Sequence, residues 1–381
     1  MKVKTALGSA TLLIAGMLTA FSAPLVTVGD KLDIFFNGSV TGRFDSNVFL
    51  NEATKTSDYS FIISPGIEMQ YGRNTATTFS FLFREDIIQY VDNTNLNTNL
   101  SNVFLNAAHQ GGRSTIAADF SYRQLSQNSQ NINVVGDLVR RNKLDTGILY
   151  AYNISPKTDV ELGFRYEYEH FVNFQNLFND RMIYTIPLDV YYKITPKIEI
   201  GLAYQFRYTD IDNTVLNQGN NRTDNFFGLA VRGELAPKLT ARIHAGATHR
   251  SVQNQPSDTT FTARGTLLYE LTQKVLIRGS FNRDFLTGGA AQNILNTGGS
   301  LGVVYNYSEF ISTDAFLSYS NANYLNSPQD DDNYGAGVTV SYTPNAYLRF
   351  SAGYIYQNNA SNALGASYMA NIVNLTASLR Y

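Results

Sequence analysis

Four histidines, His109, His170, His244 and His249, are the side chains of this chain best suited to acid–base or metal chemistry. No pair of them has a convincing metal-ligand spacing, and with no cysteine in the sequence there is neither a thiolate site nor a disulfide. Glu169-His170 and His249-Arg250 are the remaining candidates for catalysis. No nucleophile signature accompanies them, and adjacent residues of a strand point to opposite faces. Gly298-Gly299 and Thr287-Gly288-Gly289 lack the following Lys-Ser/Thr of a phosphate loop. Asp330-Asp331-Asp332 reads as a solvated loop in preference to a cation site. The expectation is no catalysis, no metal and no cofactor.

The charge that remains is placed at every second residue. Glu161, Arg165 and Glu167 alternate with Leu162, Phe164, Tyr166 and Tyr168; Glu199 and Arg207 alternate with Ile200, Leu202, Tyr204, Phe206 and Tyr208. Such charges are costly against lipid, and also in a dry core unless paired. A water-filled lumen accommodates them. The candidates for its lining are Arg123, Glu161, Arg165, Glu167, Asp189, Glu199, Arg207, Arg232, Arg242, Arg264, Arg278 and Arg349. Acids gather at Glu161, Glu167, Glu169, Asp189 and Glu199, arginines at Arg232, Arg242, Arg250, Arg264 and Arg278. Either the two arcs set up a field across the lumen, or they pair strand to strand. Scattered inward aromatics are expected at Phe35, Tyr191, Phe226 and Phe316.

The elements that must hold these residues are strands of period two. Ser367 to Tyr381 shows the pattern, with Val373, Leu375, Leu379 and Tyr381 on the apolar face of a final strand. A last strand ending in an aromatic is similar to the signal that outer-membrane barrels present to their assembly machinery. About eighteen strands of 11 to 14 residues follow from the alternation, at about 33–44, 59–71, 76–91, 100–109, 115–126, 141–154 and onward to 297–308, 310–321, 332–343, 346–358 and 367–381. Strands of that length cross a bilayer at a tilt. Short turns recur roughly every 35 to 41 residues, as in Ser155-Pro156-Lys157, Thr195-Pro196-Lys197 and Ala236-Pro237-Lys238, on the inferred periplasmic side. Longer segments rich in Asn, Gln, Ser and Asp, among them 45–58, 127–140 and 171–180, face outward, and a folded-in 127–140 would narrow the pore. The fold expected is all-β: a transmembrane, antiparallel, up-and-down barrel of about eighteen strands.

Residues 1–22 read as a secretory signal peptide, with Lys2 and Lys4 ahead of an apolar run and cleavage after Ala20 or Ser22. Residues 23–381 then form one barrel domain in the outer membrane. The chain has 29 basic and 31 acidic residues, and 29 less Lys2 and Lys4 leaves 27 against 31, a net of −4. That excludes a basic footprint for nucleic acid. Tyr (25) must supply the interfacial girdles, since Trp is absent.

Arg43-Phe44-Asp45-Ser46-Asn47-Val48-Phe49-Leu50, followed by Ile63-Ser64-Pro65-Gly66-Ile67, resembles the N-terminal pattern of the putative β-barrel porin 2 family. The resemblance implies an outer-membrane barrel of porin type without catalytic residues, and for some relatives an association with exopolysaccharide systems. Passive diffusion of small hydrophilic solutes is the function expected, with a polysaccharide conduit or a closed structural barrel as rivals. The expected partners are membrane lipid and lipopolysaccharide, the assembly machinery, small solutes and a homotrimer.

Overall fold

The computed structural model describes residues 24–29, 31–73, 75–212, 221–325 and 327–381. The expected signal peptide and most of the outer segment 211–221 lie outside them. A three-residue strand β1 (Val26–Val28) precedes β2 (Leu32–Asp45), β3 (Asp58–Tyr71), β4 (Thr77–Tyr90), β5 (Thr98–Gln110), β6 (Ser114–Ser126) and β7 (Arg140–Ser155). Then come β8 (Thr158–Phe171), β9 (Arg181–Lys193), β10 (Ile198–Ile211), β11 (Arg222–Ala236), β12 (Leu239–Val252) and β13 (Asp258–Glu270). The last six are β14 (Val275–Thr287), β15 (Asn293–Asn306), β16 (Ile311–Tyr324), β17 (Asp330–Tyr342), β18 (Leu348–Ser361) and β19 (Tyr368–Arg380). Each of β2 to β19 pairs antiparallel with the next, and β19 closes on β2 from Ile372↔Asp45 to Arg380↔Asn37. The result is a closed barrel of 18 strands. Closure removes the edges that an open sheet would leave.

Alternation decides which face is which. Leu202 is 69 % and Leu317 62 % exposed. A continuous apolar exterior of this kind fits hydrocarbon, not water. Val373, Leu375, Leu379 and Tyr381 share that outer face, and Tyr381 is tied to Phe36 by two backbone hydrogen bonds of 2.6 and 2.9 Å.

The short turns share a device that the prolines only partly signal. Thr195 Oγ1 accepts from the N–H groups of Lys197 (3.2 Å) and Ile198 (3.0 Å). Thr272 Oγ1 does the same for Lys274 and Val275, Ser308 Oγ for Phe310 and Ile311, and Asn345 Oδ1 for Tyr347 and Leu348. A side-chain oxygen thus replaces a missing backbone acceptor at the tip. At the Pro156 and Pro237 turns the ladder also slips, at Asn153/Ser155 and Glu234/Ala236, and at the first of them Ser155 Oγ accepts from Lys157 N–H at 3.2 Å.

The alternation places the strand centres well and the outer ends less well. The strand expected at 297–308 runs Asn293–Asn306, and that expected at 310–321 runs Ile311–Tyr324. Both extend past the apolar belt into polar sequence, where period two fades. The alternation did not reveal β1, which pairs Val26↔Ile34 and Val28↔Leu32. It occupies the flank of β2 beyond the point where β19 ends.

Candidate functional site: the lumen and its outer mouth

Side chains of strands that are not neighbours meet only across the inside of a closed sheet, and these contacts identify the lumen. Arg242 on β12 bonds Glu161 on β8, four strands along the wall, and approaches Asp189 on β9 to 3.5 Å. Arg232 on β11 bonds Glu161, Glu199 (2.5 Å) and Asp159 (3.4 Å). His244 Nε2 lies 3.0 Å from Asp189, and Lys193 Nζ 2.9 Å from Asp159. Further toward the outer end, Arg207 spans Asp224 (2.7 Å) and Asp284 (2.9 Å), while Arg250 grips Asp224 at 2.6 and 2.7 Å. Glu169 receives Arg141 (3.2 Å), Lys143 (3.5 Å) and Arg181 near the rim. These residues fill one side of the lumen from end to end. Between the networks remains a cavity of about 20 Å³ lined by Gln205, Asp224, Phe226, His244 and Thr262, room for about one water.

In this network acids of one arc and arginines of the other are neighbours that pair strand to strand. The remaining candidates follow this rule only in part, since several face neutral groups and one faces another acid. Arg165 bonds Asp119 (3.1 Å) and Asp145 (3.0 Å), and Glu167 stands opposite Asp145 in register. Arg264 donates to Gln205, Arg278 bonds Asp314, and Arg349 donates to Ser341 Oγ at 2.8 Å. Arg123 stands opposite Asn102 on β5. Asp159, Asp224 and Asp284 were missing from the sequence candidates. Asp159 and Asp224 lie next to turns where alternation is short, and Asp284 adjoins a glycine-rich loop; only the unmatched arginines hinted at them.

The rest of the lumen wall is different. From β15 through β19 to β2, the inward positions include Ser300, Ser318, Gly335, Gly337, Thr339, Ser351, Gly353, Gln357, Asn374, Thr376, Thr41 and Ser39. Charges are few between the strand ends: Asp314 in its pair, Arg349 on Ser341, and Arg43, which donates to Asn374 at 3.0 Å. Ser300 and Gln357 stay exposed although they face inward.

The outer mouth is covered. The segment 127–139 leaves the wall between β6 and β7, and Tyr324 at the end of β16 donates to Asn131 Oδ1 at 2.7 Å. β7 and β16 are nine strands apart in a ring of 18, so this bond crosses the mouth. Asn128 Nδ2 donates to the carbonyls of Phe49 (3.0 Å), Val134 (3.2 Å) and Asp137 (2.9 Å), and its Oδ1 accepts from Val139 N–H at 3.2 Å. Asn133 donates to Leu50 O at 2.9 Å. Two apolar clusters seal the contacts: Val48, Phe49, Leu96 and Leu138 on one side, and Ile132, Val139, Phe171 and Phe178 on the other. Asp45-Ser46-Asn47, in the motif that opens the first outer loop, forms an Asx turn: Asp45 Oδ1 accepts from Asn47 N–H at 2.9 Å, and Asn47 Nδ2 donates to the carbonyls of Asn51 and Met369.

The chain resembles the putative β-barrel porin 2 family. That family's model matches residues 287–381, which span the end of β14 through β19. The porin 2 match thus falls on the neutral arc and the closing strand, away from the motif at 43–50. No curated protein sequence matches. Among solved structures, the FrpB iron transporter of Neisseria meningitidis aligns with a TM-score of 0.44 at 9 % identity, over 85 % of this chain and 62 % of that one. The chain thus spans less than two thirds of the transporter's length. The outer membrane protein OpdK of Pseudomonas aeruginosa aligns at 0.48 and 8 % identity, over 92 % of this chain and 99 % of that one. OccAB3 of Acinetobacter baumannii aligns at 0.44 and 10 % identity, with coverages of 92 % and 99 %.

Proposed function

We propose that the protein is an outer-membrane pore for passive diffusion of small hydrophilic solutes, constricted at its outer mouth by residues 127–139. The observation that carries the reading is the neutral arc, an inner wall of glycine, hydroxyl and amide side chains in a barrel of 18 strands. A barrel of about this size leaves an aqueous channel unless something fills it. Here paired charges fill one side and leave the other. Most of the charged lining is spent in pairs, so selectivity would be weak and set by the charges left without an opposite partner and by the few of the open side. Val373, Leu375, Leu379 and Tyr381 would serve as the assembly signal, and lipid and lipopolysaccharide would meet the apolar belt.

A second reading, a barrel held shut at rest, is favoured by the bond across the mouth between Tyr324 and Asn131. One experiment tests both. The mature protein is refolded into a planar bilayer and single-channel current is recorded for the wild type and for a variant lacking residues 129–137. Steady openings in both support the open pore, and openings confined to the deletion support the shut barrel. Heat-modifiable, inserted protein that passes no current in either form would sink the channel reading.

A further inference from the structure

Of the four aromatics expected in the lumen, three are covered by guanidinium groups. Arg380 lies over Phe35 at 3.7 Å, Arg232 over Tyr191 at 3.9 Å and Arg264 over Phe226 at 5.9 Å. Phe35 and Tyr191 are almost completely buried. The fourth, Phe316, has no such cover among the described residues and is 37 % exposed. It faces inward, in register with Gly302 on β15 and Gly337 on β17. Gly302 in turn stands opposite Arg278. A Cβ on Gly337 would come within 2.4 Å of Phe316 Cε1, so the ring overhangs the backbone of the next strand where only glycine leaves room, and more than a third of the residue stays exposed on the lumen side.

An aromatic face bared to water inside a polar wall is unfavourable until something apolar covers it. Around the wall its row continues through Gly337 to the inward Ile355 and Ile372, an apolar edge on one side; along its own strand the neighbours are hydrogen-bonding groups. Ser318 lies two residues up the strand and Asp314 two residues down, each about 7 Å along the wall. Asp314 is 41 % exposed even while paired with Arg278. An apolar disc flanked by hydroxyls and a carboxylate–guanidinium pair matches one solute chemistry well. A sugar ring has an apolar C–H face for the disc and equatorial hydroxyls for the flanking groups. A small anion gains nothing from the ring face, and a greasy solute makes no use of the exposed Asp314 carboxylate and the Ser318 hydroxyl.

We propose that Phe316, with Asp314, Arg278 and Ser318, is a contact station for neutral saccharide units in the lumen. This deepens the pore reading and rests on it only for how the saccharide arrives. The rival is structural: an aromatic laid over glycine also stabilises a sheet.

The test is calorimetric titration of the refolded mature protein, in a detergent without a sugar headgroup, with neutral linear hexasaccharides of glucose, mannose and galactose. Binding of at least one is expected, and Phe316→Ala and Phe316→Leu should each weaken it about tenfold while Phe316→Tyr retains it. Leu covers Gly337 but has no flat face, which separates a stacking role from a structural one. All variants should keep heat-modifiable mobility. The proposal is overturned if none of the hexasaccharides binds, or if Phe316→Leu binds as tightly as the wild type. Binding without single-channel current would remove the pore reading and leave the station. Current without binding would do the reverse.

Discussion

The arc from β8 to β14 and the arc from β15 to β2 belong to one continuous sheet, yet they solve the problem of an inner wall in opposite ways. The first places long charged side chains inward and satisfies them across the lumen, so that Asp224, Arg250 and Glu161 are all nine-tenths buried or more. The second places Gly, Ser, Thr and Asn inward and leaves them wet. The comparison teaches that polar alternation fixes which face looks inward but not whether that face encloses water. What decides is reach: Arg and Glu span several strands, while Ser and Gly do not.

The largest effect should come from Asp224→Asn, which strands Arg250 and part of Arg207 in a buried site. The expected loss is about 3–5 kcal/mol, read from the urea midpoint of the refolded barrel, whereas Ser351→Ala on the open arc should stay within about 0.5 kcal/mol. Equal losses would erase the distinction. Glu161→Gln should cost less, about 1–3 kcal/mol, because Arg232 keeps Glu199 and Arg242 keeps Asp189. Asn128→Ala should leave the global midpoint nearly unmoved but release the cap. Faster protease cleavage within 129–137 and longer or larger openings are expected, and unchanged cleavage would mean the apolar clusters alone hold the segment. The smallest shift should be in reversal potential. Thr376→Lys on the open arc should move it toward anions by a few millivolts at low salt, while the double change Arg232→Met with Glu161→Met should not move it.

Much of this was legible in the chain because lipid enforces a simple code. Ile198 to Tyr208 and Val373 to Tyr381 alternate so regularly that strand, face and membrane contact follow from them. The lining charges could be chosen by parity, but their partners could not. The pairing of Arg242 with Glu161 depends on the curvature of the wall between β8 and β12, and no local pattern encodes curvature. Asn128 and Tyr324 were invisible for a related reason. The cap is held by Asn128's bonds to backbone and by one side-chain bond across the ring, from Tyr324 to Asn131, and an asparagine in a polar segment looks like any other loop residue. Phe316 was visible as inward but not as bare, since bareness depended on where three arginines came to rest.

The three-residue strand β1 carries a mechanical consequence. It is fastened to β2 by a ladder of three residue pairs, beyond the end of β19. Tension applied at the N-terminal side would load those pairs in sequence, and they would open before force reached the long ladder between β2 and β19. The barrel therefore carries a fuse ahead of its seam. A tether pulling on the chain just ahead of β1 would detach a few residues and leave the wall intact.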